Sequence, residues 1–173
     1  MKHLYLLRHA KSDWRDAALH DHDRPLNRRG RRDAPKMGAV LAERYAPMAF
    51  YVSPAVRAQA TYDGLCAGWS GLNGCQRRTD EALYTFDVQA LLVWLSTRSD
   101  TEADIALIAH NPALTDVINF LVAPGTLANL PTAGWAALTV PIKNWADIYQ
   151  AQAQATLNET IFPKQLDTFG VRR

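Results

Sequence analysis

Two arginines and two histidines follow strand-like apolar segments, and these four residues form the pattern in the chain most suited to chemistry. Arg8 and His9 come directly after the apolar residues 4–7, and His110 directly follows a second apolar run. Arg57 lies just beyond a third such segment. Guanidinium groups match the oxygens of a phosphate in bidentate fashion, and histidine adds a donor or a nucleophilic nitrogen. The pattern therefore indicates a binding site for phosphate or another anion.

The elements that must position these residues alternate between strands and helices. Unbroken apolar runs of this length are typical of strands buried on both faces, as in a parallel sheet. Asn27 has the side chain and the place of a helix N-cap, and Pro35 should kink the following helix or delay its start. The sequence predicts strands over residues 3–8, 48–53, 76–79 and 104–109, and helices over residues 27–45, 55–66, 88–97 and 112–122.

The C-terminal part of the chain has a different pattern. Residues 134–141 and 146–156 are joined by a polar connection, and the second segment alternates small and polar residues. These features favour an antiparallel hairpin at one side of the sheet, followed by irregular coil over residues 158–173. The order of elements predicts one α/β domain over residues 1–173. We expect a three-layer α/β/α sandwich with a mostly parallel central sheet and an antiparallel C-terminal edge.

Composition excludes several classes of protein. The chain is 48% hydrophobic and 21% charged, with a net charge of +2, which is ordinary for a soluble globular protein and gives no argument for nucleic acid. We find no run of 18 apolar residues and no signal-peptide pattern, so we expect a cytoplasmic protein without a membrane partner. The two cysteines make no disulfide framework.

The acidic and histidine-rich segment at residues 20–23 could be read as a group of metal ligands. A solvated loop explains the same residues more simply, and Asp23 is then expected to orient Arg24. No CxxC or HExxH motif is present, and we see no carboxylate cluster suited to magnesium. We therefore expect neither a metal nor another cofactor.

The motifs, taken together and in order, resemble those of the histidine phosphatase superfamily. The stretch LLRHAKSDW resembles the family's first motif, DRPL and SPAVRAQAT resemble later ones, and IAHNP resembles the last. The forms DRPL and HNP and the short chain are most similar to the SixA-type phosphohistidine phosphatases. Ala10 stands where many members have glycine. The resemblance covers residues 3–122 and implies a fold like that of the phosphoglycerate mutases.

The resemblance also implies roles for the four residues. His9 would be the nucleophile that forms a phosphohistidine intermediate, which requires a neutral ring whose other nitrogen is held by an acceptor. Arg8 and Arg57 would bind the phosphoryl oxygens, and His110 would complete the catalytic site. Glu81 lies where the family often places its general acid; its neighbour Asp80 and the loop carboxylates stay open as alternatives.

Three functions remain open at this point. The first is a metal-independent phosphatase that acts on phosphohistidine in a partner protein, for example a histidine-phosphotransfer protein, because the short interval between Arg57 and His110 leaves little chain for a lid. The second is a broad-specificity phosphatase of small phosphorylated metabolites. The third, a phosphate-binding module without turnover, is disfavoured because pure binding needs no nucleophile such as His9.

Overall fold

The chain forms a six-stranded mixed sheet with helices on both faces. The structure is a computed structural model that describes residues 1–170. The strands are β1 (Lys2–Arg8), β2 (Phe50–Val52), β3 (Arg77–Thr79), β4 (Asp104–Ala109), β5 (Trp135–Val140) and β6 (Thr156–Ile161). The helices are α1 (Arg28–Arg44), α2 (Val56–Gly68), α3 (Val88–Ser96), α4 (Ala113–Leu121) and α5 (Pro163–Gly170). Short 3₁₀ helices span Asp21–Asp23, Ser70–Gly74, Glu81–Leu83 and Trp145–Ala151.

The sheet order is β3-β2-β4-β1-β5-β6. The first four strands in this order are parallel, whereas β5 is antiparallel to β1 and β6 is antiparallel to β5. Because the carboxyl ends of β1, β2 and β4 share one edge, the residues that follow them meet at a single rim. The predicted α/β class, the mostly parallel sheet and its antiparallel C-terminal edge are confirmed.

Two hydrophobic cores lie on opposite faces of the sheet. Alternate residues of β1 serve opposite faces, with Leu4 and Leu6 in one core and Leu7 in the other. The first core is closed by α3 and α4, and the second by α1 and α2. The arrangement is the predicted three-layer sandwich. Among residues 1–170, no helix combines the length and apolar composition needed to cross a membrane.

Helix α1 confirms the predicted cap and excludes one of the two effects predicted for its proline. The side chain of Asn27 accepts a hydrogen bond from the backbone N–H of Gly30 at 2.9 Å, and the helix starts at Arg28. The expectation that Pro35 delays the start is wrong, because Pro35 lies inside the continuous helix. The helix packs closely against α2, since a Cβ atom at Gly38 would overlap the carbonyl oxygen of Leu65.

The C-terminal expectations are partly wrong. Strand β5 forms as predicted, but its antiparallel partner is β6, whereas most of residues 146–156 forms the 3₁₀ helix Trp145–Ala151 and a turn. The buried side chains of this 3₁₀ helix recur at every third position, which is the period of a 3₁₀ helix and not of a strand. The predicted coil over residues 158–173 instead contains most of β6 and all of α5, and residues 171–173 lie outside the described part.

Candidate active site

The site lies at the carboxyl ends of β1, β4 and β2. Strands β1 and β4 are parallel neighbours in a register that pairs Arg8 with Ala109, so the next residues, His9 and His110, lie side by side. The backbone N–H of His9 donates to the Ala109 carbonyl at 3.2 Å, and the two imidazole centroids are 5.2 Å apart. Strand pairing alone thus brings together two histidines that are about a hundred positions apart in sequence.

His9 has a defined tautomer. Its Nδ1 lies 2.7 Å from the carbonyl oxygen of Ala10. A carbonyl only accepts hydrogen bonds, so Nδ1 carries the proton and Nε2 presents a lone pair. The pKa of His9 is lowered to about 3, mainly by burial and also by the charges of Arg57 and Arg8, while the hydrogen bond to Ala10 acts in the opposite direction. The ring is therefore neutral and nucleophilic at Nε2 at neutral pH.

Arg57, in the first turn of α2, connects this ring to its surroundings. Its Nε–H donates to His9 Nε2 at 3.3 Å, and its Nη2 donates to His110 Nδ1 at 3.3 Å. On the other side, Nη1 donates to the Asp21 carbonyl at 2.6 Å and Nη2 to the Asp21 carboxylate at 2.9 Å. The guanidinium is thereby fixed, with one pair of donors held by Asp21 and another pair facing the two histidines.

His110 is fully buried and is also neutral. Because arginine can only donate, His110 Nδ1 accepts from Arg57, and its Nε2–H donates to the Ser53 hydroxyl at 2.7 Å. The pKa of His110 is lowered to about 3, mainly by burial and also by the neighbouring His9 and Arg57. Ser53 follows β2, so three strand ends contribute to one hydrogen-bond network.

Arg8 lies at the same rim and is anchored by a distant loop. Its Nη1 donates to the Leu130 carbonyl at 3.0 Å, and its Nε is buried without a hydrogen-bond partner among the described residues. Burial and the charge of Arg57 lower the pKa of Arg8. Ala133, in the left-handed region at φ 57°, holds this loop in place by donating its N–H to the Arg8 and His9 carbonyls.

Asp21 belongs to the site, although the sequence argument did not single it out. Its carboxylate accepts hydrogen bonds from Arg57, from Arg24 at 2.8 Å and from the Tyr84 hydroxyl at 2.6 Å. Partial burial alone would raise the pKa of Asp21, but these three donors outweigh it and hold the pKa well below its ordinary value. Asp21 is thus an ionised counter-charge to the arginines.

The role expected for Asp23 is wrong. Asp21, not Asp23, pairs with Arg24, while Asp23 approaches His22 at 3.5 Å. The 3₁₀ helix Asp21–Asp23 causes the difference, because its turn directs neighbouring side chains in different directions. Within residues 1–170, no group of three or more histidine, cysteine or acidic residues is placed to hold a metal ion.

Aromatic side chains surround the mouth of the site. Tyr84 packs against His22 with ring centroids 5.0 Å apart and against Phe86 at 5.6 Å. Phe86 also contacts His110 at 5.4 Å. On the other side of the mouth, the guanidinium of Arg24 lies 3.6 Å from the ring centre of Trp14, which is 63% exposed. The sequence argument missed this rim, because its members come from two loops that only the fold brings together.

The structure does not bring the predicted general acid into this network. Glu81 begins the 3₁₀ helix Glu81–Leu83 after β3 and is exposed, and its carboxylate makes no hydrogen bond or ion pair within the described chain. The carboxylate of Asp80 is bound outside the site, where it accepts hydrogen bonds from Trp94 Nε1 at 2.8 Å and from the backbone N–H of Ala82. Arg8, His9, Arg57 and His110 do converge, whereas the catalytic role of Glu81 stays a prediction.

The fold and the motifs at the strand ends agree with one protein superfamily. Residues 4–91 match the histidine phosphatase superfamily (branch 1), and the chain belongs to that superfamily. An uncharacterized chloroplastic protein of Arabidopsis thaliana is 39% identical over 71 residues, which cover 40% of this chain and 33% of that protein. The chain therefore spans about a third of the length of this curated relative.

Solved structures share the fold. A candidate phosphohistidine phosphatase SixA of Agrobacterium tumefaciens matches with a TM-score of 0.75 and 22% identity, over 94% of this chain and 98% of that one. The protein histidine phosphatase SixA in complex with tungstate matches with a TM-score of 0.73 and 21% identity, over 95% and 99%. A mycobacterial glucosyl-3-phosphoglycerate phosphatase matches with a TM-score of 0.62 and 16% identity, over 91% and 97%. At these identities the likeness establishes the fold.

Proposed function

We propose that the protein is a metal-independent phosphatase that removes the phosphoryl group of phosphohistidine from a partner protein, through a phosphohistidine formed on His9. One observation carries the proposal. His9 Nδ1 is held by the Ala10 carbonyl, so the unprotonated Nε2 lies beside the guanidinium of Arg57. A neutral nucleophile next to a fixed cationic donor is the arrangement that covalent phosphoryl transfer requires.

The reaction takes two balanced steps. First, the His9 Nε2 lone pair forms a bond to phosphorus, and the bond from phosphorus to the substrate imidazole breaks, its electron pair staying on the imidazole nitrogen, which takes up a proton. Second, water forms a bond to phosphorus, the bond to His9 Nε2 breaks, and inorganic phosphate leaves as the ring regains its lone pair. The sum is hydrolysis of phosphohistidine to histidine and phosphate.

The arginines supply the electrostatic part of the mechanism. Charge accumulates on the equatorial oxygens of the transferring group, and donors already fixed in place stabilise it without reorganisation. Arg57 Nε and Nη2 face the two histidines, and the buried Nε of Arg8 lacks a protein partner among the described residues. Phosphoryl oxygens would accept hydrogen bonds from these donors, and His110 would hold Arg57 in place through its Nδ1.

Two features favour a protein-bound substrate. The mouth carries the exposed apolar side chains of Trp14 and Phe86. Such residues are suited to contact with a protein surface. Two of the structural neighbours are named as SixA phosphohistidine phosphatases, one of them as a candidate. A histidine-phosphotransfer protein is the partner chemistry that fits, and the cytoplasmic location stays a prediction.

The test follows radioactive phosphate on a partner protein. A histidine-phosphotransfer protein and a small carrier protein, both labelled on histidine, are mixed with the wild-type protein or with His9→Ala. We expect fast loss of label with the wild type and none with the variant. Brief reaction and quenching at high pH should trap an acid-labile, base-stable label on His9 of the wild type.

Other outcomes would assign a different function. If the label on both proteins persists while a small phosphoester is hydrolysed, the substrate is a small phosphorylated metabolite, the second function kept open by the sequence. Phosphate binding without turnover of any substrate would instead identify a binding module. The structural likeness to a glucosyl-3-phosphoglycerate phosphatase makes sugar phosphates the first small molecules to include.

A further inference from the structure

Phe86 is an exposed aromatic residue held against the catalytic network. It follows the 3₁₀ helix Glu81–Leu83 and is 44% exposed. Its ring centroid lies 5.4 Å from that of His110, with the planes at 56°, and 5.6 Å from that of Tyr84. A large apolar ring left in water forgoes the stabilisation of burial, so this position calls for an explanation other than packing of the core.

Exposure rises from the floor of the site to its mouth. His9 is 7% exposed and His110 is fully buried, whereas Phe86, which contacts His110, is 44% exposed. In a phosphoryl transfer the leaving group lies opposite the attacking atom. Because the attacking ring of His9 is the buried part of the site, the leaving group occupies the solvent side, where Phe86 lies.

We propose that Phe86 is a specificity-determining residue whose ring contacts the imidazole leaving group of phosphohistidine. The inference rests on the proposed function and goes further, because it assigns recognition of the leaving group to one side chain. Aromatic rings attract each other in tilted and edge-to-face arrangements at centroid separations of about 4.5–7 Å. An imidazole at the mouth gains such a contact, whereas ammonia, an alkyl alcohol or a sugar does not.

Tyr84 is less suited to this role. Its ring also contacts His110, at 5.4 Å, but its hydroxyl is bound to Asp21 at 2.6 Å and its ring packs against both His22 and Phe86, so it is held inside the network. Phe86 has no polar atom that could bind a phosphoryl oxygen. Its contribution to catalysis should therefore depend on whether the leaving group has a ring.

Two substrates with the same type of scissile bond distinguish recognition of the leaving group from a general contribution of Phe86 to catalysis. Phosphohistidine and phosphoramidate both break a phosphorus–nitrogen bond, but only the first releases an aromatic ring. We measure kcat/KM on each for the wild type and for Phe86→Ala, Phe86→Leu and Phe86→Tyr. The ratio of phosphohistidine to phosphoramidate kcat/KM should fall about 3- to 10-fold in the Ala and Leu variants, the scale of one aromatic pair, and stay near wild type in the Tyr variant.

Tyr149 provides the matched control. It is 42% exposed, lies in the 3₁₀ helix Trp145–Ala151 and packs against Phe120, away from the site. Tyr149→Ala removes an equally exposed ring and should leave the substrate ratio unchanged. Thermal melting of all variants monitors folding, which should tolerate Phe86→Ala because the side chain is half exposed.

The outcomes distinguish the two proposals. Equal losses on both substrates in Phe86→Ala would show that Phe86 only holds His110 in place, and unchanged kcat/KM on both substrates would show that the leaving group does not touch it. Either result overturns the inference and leaves the proposed function standing, provided that the wild type hydrolyses phosphohistidine. A wild type that hydrolyses phosphoramidate but not phosphohistidine would overturn the substrate proposal and this inference together.

Discussion

Replacement of Arg57 should weaken the binding of phosphate-like anions more than any other single change outside the nucleophile. Arg57→Ala removes two donors that face His9 and His110 at 3.3 Å, together with a buried positive charge. Asp21 keeps two of its partners, Arg24 and Tyr84, so its carboxylate is not left unpaired. The buried Nδ1 of His110 does lose its donor, so thermal melting is needed to separate an effect on the fold from the effect on the anion site.

The magnitude follows from the donors lost. Removal of one preorganised donor from an oxyanion site costs about 2.7–4 kcal/mol, and a charge-assisted hydrogen bond contributes about 1.5–3 kcal/mol. We expect Arg57→Ala to weaken vanadate binding by about 2–4 kcal/mol, which is roughly 30- to 900-fold. Arg57→Lys keeps the charge but loses the planar fork, so it should weaken binding by about tenfold.

The assay is inhibition by vanadate of the hydrolysis of para-nitrophenyl phosphate, with direct calorimetry for variants whose turnover is too slow. Arg44→Ala is the control. It removes an arginine at the far end of α1, where Arg44 pairs with Glu159, and should leave the inhibition constant unchanged. A vanadate inhibition constant for Arg57→Ala equal to that of the wild type would refute the assignment of Arg57 to the anion site.

Three further predictions concern acid stability, packing and the general acid. Because burial lowers the pKa of His9 and of His110 to about 3, the unfolded chain binds more protons between about pH 3 and 6.5. The free energy of unfolding should thus decrease as the pH is lowered through that window, by about 1.4 kcal/mol per pH unit for each histidine. His110→Gln should roughly halve the slope of the urea midpoint against pH, and an unaltered slope would contradict this. A Cβ at Gly30 would overlap a backbone carbonyl oxygen of the loop after β1, so Gly30→Ala should cost about 1–3 kcal/mol in urea unfolding, whereas Gly74→Ala, with open space around it, should be close to neutral. If Glu81 is the general acid, Glu81→Gln should slow phosphoester hydrolysis by about 100-fold or more. Phosphohistidine hydrolysis should slow by less than about tenfold, because protonated imidazole leaves readily. Equal rates of ester hydrolysis for the variant and the wild type would exclude the role.

The four site residues at strand ends could be predicted because their positions depend on local patterns. An apolar run that ends on a polar residue specifies both a buried strand and the direction in which its carboxyl end points. Arg8, His9 and His110 follow such runs directly, and parallel neighbours bring their ends to one rim. Asn27 was predictable as an N-cap for the same local reason.

Asp21 and Tyr84 could not be assigned in this way. They are 63 positions apart and meet only because the loop after β1 and the segment after β3 approach the same rim. Neither residue type is unusual in a loop, so the sequence offers no signal for their contact. The role of the exposed ring of Phe86 could not be predicted for the same reason, because its contact with His110 depends on the path of a short 3₁₀ helix.

The C-terminal region shows how the rest of the fold overrides a weak local pattern. The small residues Ala151, Ala153 and Ala155 alternate like a strand, but Trp145 and Ile148 are buried three positions apart and fix a 3₁₀ helix instead. Strand β6 is polar and only partly buried, so its sequence has little strand character. It forms because β5 offers an unpaired edge to the chain that follows.

The sequence by itself therefore determined the class of fold, the rim at which the site lies, and the arginines and histidines that occupy it. These features depend on hydrophobic periodicity and on residue types at strand ends, which are local properties of the chain. Tertiary structure alone decided the tautomer of His9, the ion pair between Asp21 and Arg57, and the aromatic side chains at the mouth of the site. Those depend on hydrogen bonds and ring contacts whose partners are specified by the fold.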